Sequence, residues 1–158
     1  MRIGVISDTH GDAGALRRAA AALPGVEAWI HLGDLVRDAE ALKGMTGRPV
    51  HMIRGNCDHG CGEIPLEDVI PAGDILLFAA HGNRYGVRYG PEDLADRAES
   101  LGCAVALYGH THVSKIAARG RLLLLNPGSP HEPREGRKPS VALLEVAGGD
   151  YHGRIVTL

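Results

Sequence analysis

The feature that most constrains this chain is a recurring unit in which a short apolar run ends in a polar tip. The first run, residues 3–6, leads directly into Asp8 and His10. Four later runs end in the same way, most of them beside a glycine, and their polar residues are Asp34, Asn56, His81, His110 and His112. Runs of this length are typical of buried strands. Because the carboxyl ends of strands in α/β sheets meet at a ligand crevice, the pattern predicts that these side chains gather at one edge.

Segments with helical spacing alternate with the apolar runs. Residues 13–23 follow Asp12, whose residue type caps helix N-termini, and a shorter helix is expected over residues 36–43. Pro91 opens a third helix. This alternation predicts an α/β fold, and the length of 158 residues favours one domain spanning residues 1–158.

Further strand patterns fill the second half of the chain. Residues 68–71 and 75–80 predict a hairpin. Four more runs predict strands of a second sheet or of its continuation: residues 115–118, 121–125, 140–146 and 154–158. Asn126-Pro127-Gly128-Ser129 interrupts them and is most simply a turn, with the alternative that its amides or Ser129 face a substrate.

Composition and charge exclude several classes of protein. A formal charge of −2 provides no global basic surface, so no stable nucleic-acid complex is expected. No apolar run approaches the ~20 residues that span a bilayer, which predicts a cytoplasmic protein without membrane contact. Three cysteines suggest free thiols rather than a disulfide framework. Nothing in the sequence decides between a monomer and a homo-oligomer.

The spacing of the polar tips suggests how they could bind metal. Residues two apart in an extended stretch point to the same side, which would let Asp8 and His10 address one point, and likewise His110 and His112. An alternative is that Asp8 and Asp12 only cap the following helix. Any single histidine at a strand end is more often structural, but several together favour a metal site.

Seven protein donors exceed what one transition ion needs, and two ions sharing a carboxylate are the economical solution. Asp34, alone on its tip, is the natural bridge. One ion would take Asp8, His10 and His112, and the other Asn56, His81 and His110. Mixed imidazole, carboxylate and amide ligands suit manganese, iron, nickel or zinc better than calcium.

The ordered set of motifs resembles that of calcineurin-like metallophosphoesterases. Its members are Asp8-x-His10, Gly33-Asp34, Gly55-Asn56-x-Asp58, His81-Gly82 and Gly109-His110-x-His112. The short chain, Gly55-Asn56-Cys57-Asp58, and the Asn126–Ser129 turn followed by Pro133-Arg134 are similar to a small phosphodiesterase subfamily, which shares its fold with the small subunit of retromer. The resemblance implies a four-layer αββα sandwich of two mixed sheets, with a dinuclear site at one edge.

The resemblance also implies a reaction, the hydrolysis of a phosphate ester on a small molecule or a nucleotide. Two ions would lower the pKa of a shared water toward ~7 and so provide a nucleophile. Asn56, Asp58 and His110 are the candidate catalytic residues. Asn56 would ligate an ion and donate a hydrogen bond to the growing charge, and Asp58 would orient a neighbouring ligand.

Two residues depart from the family pattern. Cys57 stands where relatives that cleave monoesters usually have histidine, and a thiol is a weak acid, so diesters with good leaving groups are favoured. The simpler interpretation of Cys57 is a small buried filler. Asn83 stands where relatives often have a second histidine. The alternatives are a phosphomonoesterase for nucleotides or small metabolites, and a metal-binding scaffold for protein interactions.

Overall fold

The computed structural model describes all 158 residues of the chain. They form two five-stranded sheets, three α-helices and one short 3-10 helix over Asn83–Tyr85. The strands are β1 (Arg2–Ile6), β2 (Ala28–His31), β3 (Val50–Met52), β4 (Glu67–Ala72), β5 (Ile75–Ala80), β6 (Val105–Leu107), β7 (Lys115–Arg119), β8 (Leu122–Asn126), β9 (Ser140–Ala147) and β10 (Asp150–Thr157). The helices are α1 (Ala13–Ala22), α2 (Arg37–Thr46) and α3 (Glu92–Ser100).

The first sheet has the strand order β10-β9-β1-β2-β3. Its strands β1, β2 and β3 are parallel, whereas β9 runs antiparallel to β1 and β10 antiparallel to β9. The strand pairs β1–β2 and β2–β3 are each joined through a helix, as parallel neighbours require. The three parallel strands therefore deliver their carboxyl ends to the same edge.

The second sheet has the order β4-β5-β6-β8-β7. Strands β5, β6 and β8 are parallel, and β4 and β7 pair antiparallel at the two margins. The β4–β5 pairing confirms the predicted hairpin. Of the four later strands, β7 and β8 belong to this sheet, whereas β9 and β10 return to the first one.

Three apolar clusters show how the layers stack. The cluster between the two sheets combines Ile3 and Val5 of β1 with Leu77 of β5 and Leu107 of β6. A second cluster packs helix α1 against the outer face of the first sheet around the fully buried Trp29. A third places α3 on the outer face of the second sheet. The order of layers is helices, sheet, sheet, helix, which confirms the four-layer αββα sandwich.

Single residues define the start of α1 and the end of α2. Asp12 caps α1, its carboxylate accepting hydrogen bonds from the amides of Gly14 and Ala15 at 2.8 and 3.0 Å. Gly47 ends α2 in a left-handed conformation, which glycine adopts without strain. None of these helices has the length and apolar character needed to cross a membrane.

Candidate metal centre

The polar tips lie in loops that follow parallel strands of both sheets. Asp8 and His10 follow β1, Asp34 follows β2, His81 follows β5, and the loop at residues 109–112 follows β6. The two sheets approach closely here because residue 109 is glycine. A Cβ atom on Gly109 would lie 1.9 Å from the Ser7 Oγ atom, so no larger residue fits.

One group of side chains gathers around Asp8, whose side chain is fully buried. The Asp8 Oδ1 atom lies 3.3 Å from His112 Nε2, and His10 Nε2 lies 3.4 Å from the same nitrogen. With Asp34, these residues form a cluster in which one ligand atom from each lies within 4.8 Å of the others. Two carboxylates and two imidazoles at this spacing are a donor set for a transition ion.

A second group adjoins the first through Asp34. The Asp34 Oδ1 atom lies 3.4 Å from His81 Nε2, and His110 Nδ1 lies 3.3 Å from the same His81 nitrogen. His110 and His112 therefore contribute to different groups, although only one residue separates them. Asp34 belongs to the four-residue cluster and also contacts this second group.

Backbone carbonyls orient two of the histidines. The Nδ1 atom of His81 lies 2.7 Å from the Leu32 carbonyl oxygen, and Nδ1 of His112 lies 2.7 Å from that of Glu132. Since a carbonyl oxygen can only accept, each Nδ1 carries the proton and donates it. Each Nε2 atom then turns toward the carboxylates, as in histidines that bind metal.

The carboxylates remain charged despite their burial. Burial alone raises the pKa of Asp8 and Asp34, but the nearby imidazoles of His112 and His81 outweigh it, so both carboxyl pKa values lie below the usual range. Burial also lowers the pKa of His81 and His112, yet the neighbouring carboxylates outweigh this effect and raise both values. The two carboxylates thus make these positions favourable for positive charge.

His110 behaves differently from its neighbours. Burial, then the positive charges of His81 and Arg88, lowers its pKa to about 4. His110 is therefore neutral at pH 7, the form in which imidazole binds a metal ion.

A divalent cation fits this group of residues. The Oδ1 atom of Asp8 is buried without a hydrogen-bond partner, a condition that is rare for a carboxylate oxygen and that a cation would satisfy. The Nε2 atoms of His10 and His112 lie only 3.4 Å apart beside this oxygen, so both imidazoles can offer a nitrogen to the same cation.

Asn56 and Cys57 lie at the rim of the centre. Both side chains are exposed, and the Asn56 amide nitrogen lies 3.4 Å from the Cys57 Sγ atom. The interpretation of Cys57 as a buried filler is wrong, because its loop turns outward after β3. Its backbone amide donates a hydrogen bond to Asp34 Oδ1 at 3.0 Å.

Asp58 contacts backbone rather than a histidine. Its carboxylate accepts hydrogen bonds of 2.8 to 2.9 Å from four amides, those of Asp34, Leu35, Val36 and Gly55. Four donors on one carboxylate hold the tip of β2 against the tip of β3. Asp58 therefore positions the backbone of Asp34.

The extended geometry expected for the tips is wrong. Asp8 and His10 have φ angles of 56° and 47°, and His110 and His112 have φ angles of 66° and 60°. Strand β1 ends at Ile6, so the chain has already left the sheet at Asp8 and His10. Tight left-handed turns, rather than the alternation of a strand, bring the side chains together. Asp8 is also not a cap, because its Oδ2 atom accepts a hydrogen bond from the His110 amide at 3.0 Å.

The turn at residues 126–129 supports the centre from behind. Asn126 is buried, and its amide nitrogen donates to the Gly109 carbonyl and to Thr111 Oγ1. Ser129 is fully buried and its hydroxyl donates to the Asp8 carbonyl oxygen at 2.8 Å. The alternative in which Ser129 faces a substrate is therefore wrong.

Sequence reasoning missed a buried network under the first tip. Thr9 Oγ1 donates to Asp38 Oδ2 at 2.6 Å and lies 3.1 Å from His31 Nε2. The Gly11 amide donates to the same Asp38 oxygen. In the sequence, Asp38 is indistinguishable from an acidic residue that stabilises the first turn of α2, so no spacing could have revealed it. His31 is structural, as expected, and burial lowers its pKa to about 4.

Known proteins are similar to this chain in sequence. The model of the calcineurin-like phosphoesterase superfamily domain matches residues 1–149. The probable metallophosphoesterase YsnB of Bacillus subtilis is 32% identical over 149 residues, which are 92% of this chain and 85% of the relative. The phosphodiesterase YfcE of Escherichia coli is 28% identical over 169 residues, covering 92% of this chain and 88% of YfcE.

Solved structures agree with the sequence relatives. A conserved predicted phosphoesterase from Streptococcus pneumoniae superposes with a TM-score of 0.83 at 28% identity, covering 99% of this chain and 88% of that one. Vacuolar Protein Sorting 29 from Cryptosporidium parvum superposes with a TM-score of 0.75 at 19% identity, covering 98% and 96%, and shows the shared fold. Fold, site and family model agree, and the chain belongs to the calcineurin-like phosphoesterase superfamily.

Proposed function

We propose that this chain is a phosphodiesterase that uses two divalent transition-metal ions, with manganese, iron, nickel and zinc as candidates. The observation that carries the proposal is the pair of adjoining donor groups around Asp8 and His81, with Asp34 in contact with both. Family membership supports hydrolysis of a phosphoester bond. The substrate is then a small phosphate ester or a nucleotide.

The contacts support one division of the ligands. His112 contacts both Asp8 and His10, which favours these three residues for the first ion. His110 contacts His81, which favours these two with Asn56 for the second ion. Asp34 would serve both. Imidazole with carboxylate and amide oxygen suits transition metals.

The residues of the chain have distinct parts in the reaction. When bound, divalent ions supply the charge that binds phosphoryl oxygens and acidifies water. The exposed Asn56 amide can donate a hydrogen bond to a phosphoryl oxygen as its negative charge grows. Asp58 keeps the Asp34 backbone in place through its four amide contacts. His110 is neutral at pH 7, so its imidazole can bind a metal ion without first losing a proton.

Cys57 favours diesters over monoesters. Partial loss of solvent at the rim, the hydrogen bond with Asp34 and the charge of that carboxylate raise the pKa of the Cys57 thiol to about 11. A thiol of this pKa does not protonate a leaving group effectively at pH 7. Substrates whose leaving groups depart without protonation are therefore favoured, and the phosphodiesterase name of the Escherichia coli relative supports the same choice.

The test compares a chromogenic diester with its monoester. Metal-stripped protein is assayed on bis(p-nitrophenyl) phosphate and p-nitrophenyl phosphate, with manganese, nickel or zinc added back. We expect metal-dependent turnover that is faster on the diester. An Asn56→Ala variant should lose about 100-fold in kcat, the usual effect of removing a donor to a developing charge.

Asn83→Ala is the matched control, since Asn83 is an asparagine outside the proposed ligand set. Its kcat should stay within about threefold of the unmodified chain, the scale of a surface change. Faster turnover of the monoester would refute the preference for diesters. Absence of turnover with every metal would refute the enzymatic proposal and favour a scaffold.

A further inference from the structure

A cleft of about 400 Å³ opens beside the metal centre. Its walls include Arg88 and Tyr89, which precede α3, Lys115 at the start of β7, and Arg134. Thr111 also lines the cleft.

The cleft and the centre share a wall. Thr111 lies between His110 and His112 in the loop after β6. The Arg134 amide donates a hydrogen bond of 3.1 Å to the His112 carbonyl oxygen. A substrate whose phosphate lies at the centre would therefore extend one of its two ester arms into the cleft.

The cleft carries positive charge that the protein does not neutralise. Arg88 and Lys115 form no ion pair, and the nearest carboxylate to Arg134 is that of Glu132, at 4.0 Å. Glu135 is the one acidic residue in the lining. Three cations against one anion stand out in a chain whose net charge is −2.

We propose that this cleft binds a second anionic group of the substrate, a phosphate on the ester arm that lies away from the bond being cleaved. This inference rests on the proposed diesterase function. Guanidinium groups bind phosphate through paired hydrogen bonds, and an ammonium group adds a point charge. The preferred substrate class is then a nucleotide-like diester that carries a further phosphate.

The test uses two substrates that differ only in that phosphate. Thymidine 5′-(p-nitrophenyl phosphate) is compared with the same compound carrying a 3′-phosphate, using the metal-loaded protein. We expect a KM about tenfold lower for the 3′-phosphorylated compound, as for a charge-assisted contact. The difference should shrink as salt is added, because the interacting charges are exposed to solvent.

Charge-removing variants locate the effect. Lys115→Gln should raise the KM for the 3′-phosphorylated substrate about fivefold, with kcat and the KM for the other substrate within about twofold. Arg88→Gln should raise the ratio of the KM for the 3′-phosphorylated substrate to that for the other substrate by a similar factor. Arg48→Gln is the matched control. It removes one exposed cation before β3, at the opposite end of the sheet from the centre, and should change neither KM.

Equal KM values for the two substrates, or equal effects of the variants on both, would overturn the inference. Calorimetry separates this failure from failure of the diesterase proposal. Thymidine 3′,5′-bisphosphate should bind the metal-loaded protein about tenfold more tightly than thymidine 5′-monophosphate, and Arg88→Gln should reduce the difference to about twofold. Equal affinities would refute phosphate binding in the cleft, even if the protein hydrolyses diesters. If the affinity difference is present but no diester is hydrolysed, only the diesterase proposal is refuted.

Discussion

Five side chains of the centre stand on backbone that L-residues seldom adopt. Asp8, His10, Asp34, His110 and His112 all have φ angles between 47° and 66°. Left-handed backbone costs a non-glycine residue roughly 1–2 kcal/mol, because Cβ approaches the carbonyl oxygen. Glycine would be the stable choice at each position, yet each holds a side chain that can bind metal. The centre therefore stores strain where function requires a ligand.

This strain can be measured at His10. Both His10→Gly and His10→Ala remove the imidazole, but only glycine relieves the left-handed backbone. We expect the metal-free glycine variant to be more stable than the alanine variant by about 1 kcal/mol in urea unfolding. The same two substitutions at His152, in the regular strand β10, should leave the alanine variant more stable than the glycine variant. A more stable alanine variant at His10 would contradict the strain.

At the scale of elements, one carboxylate joins two strand ends. Asp58 follows β3 and binds the amides that follow β2, so the Asp34 turn cannot move independently of the third strand. Hydrogen bonds from backbone amides to a charged acceptor are stronger than those to a neutral one. The geometry of Asp34 is therefore set by a residue that lies 24 positions away in sequence.

Asp58→Asn tests this connection. The amide NH₂ group would face backbone N–H groups that need an acceptor, so we expect a loss of about 2 kcal/mol in the free energy of unfolding. Metal affinity should fall as well, measured by titration of the stripped protein. Asp68→Asn is the control, since Asp68 is 43% exposed and pairs with His51 at the surface. Its loss should stay below about 1 kcal/mol.

At the scale of the whole molecule, the centre spans both sheets. Asp8, His10 and Asp34 follow strands of the first sheet, whereas His81 and the histidines of residues 109–112 follow strands of the second. Ions bound between them would hold the halves of the sandwich together. Metal binding is then coupled to the stability of the entire fold.

Metal addition should therefore raise the melting temperature. At a free metal concentration about 100 times Kd, linkage gives about 2.7 kcal/mol, or a Tm increase of roughly 5–10 °C for a chain of this size. Asp34→Asn should lose most of the increase, while Asp74→Asn, in the exposed β4–β5 turn, should keep it. A shift that survives in Asp34→Asn would place the stabilising ions elsewhere.

The positions of the polar side chains after the strands were predictable, because a buried strand is short and apolar and, in most cases here, is followed by glycine. The start of α1 was predictable for a similar reason, since Asp12 acts through its own local backbone, whereas α2 extends three residues beyond its predicted end to Thr46. These signals depend on neighbouring residues in the chain. They were enough to predict an α/β fold and the gathering of the polar side chains at one edge, whereas the four-layer sandwich was implied by the family resemblance.

Other features depend on residues far apart in sequence and were not predictable. The return of β9 to the first sheet follows from how the sandwich closes. The support that Ser129 gives to Asp8 joins residues 121 positions apart. The outward turn of Cys57 and the left-handed tips arise from contacts between loops, which no periodicity records.

The position of β1 has a consequence for how the protein is made. This strand leaves the ribosome before the other nine strands of the two sheets, yet it lies in the middle of its sheet, between β2 and β9. One of its two neighbours, and the serine that holds the Asp8 carbonyl, are synthesised after every proposed ligand. A nascent chain can therefore present all its proposed ligands before it can arrange them, and metal uptake would follow the synthesis of β9.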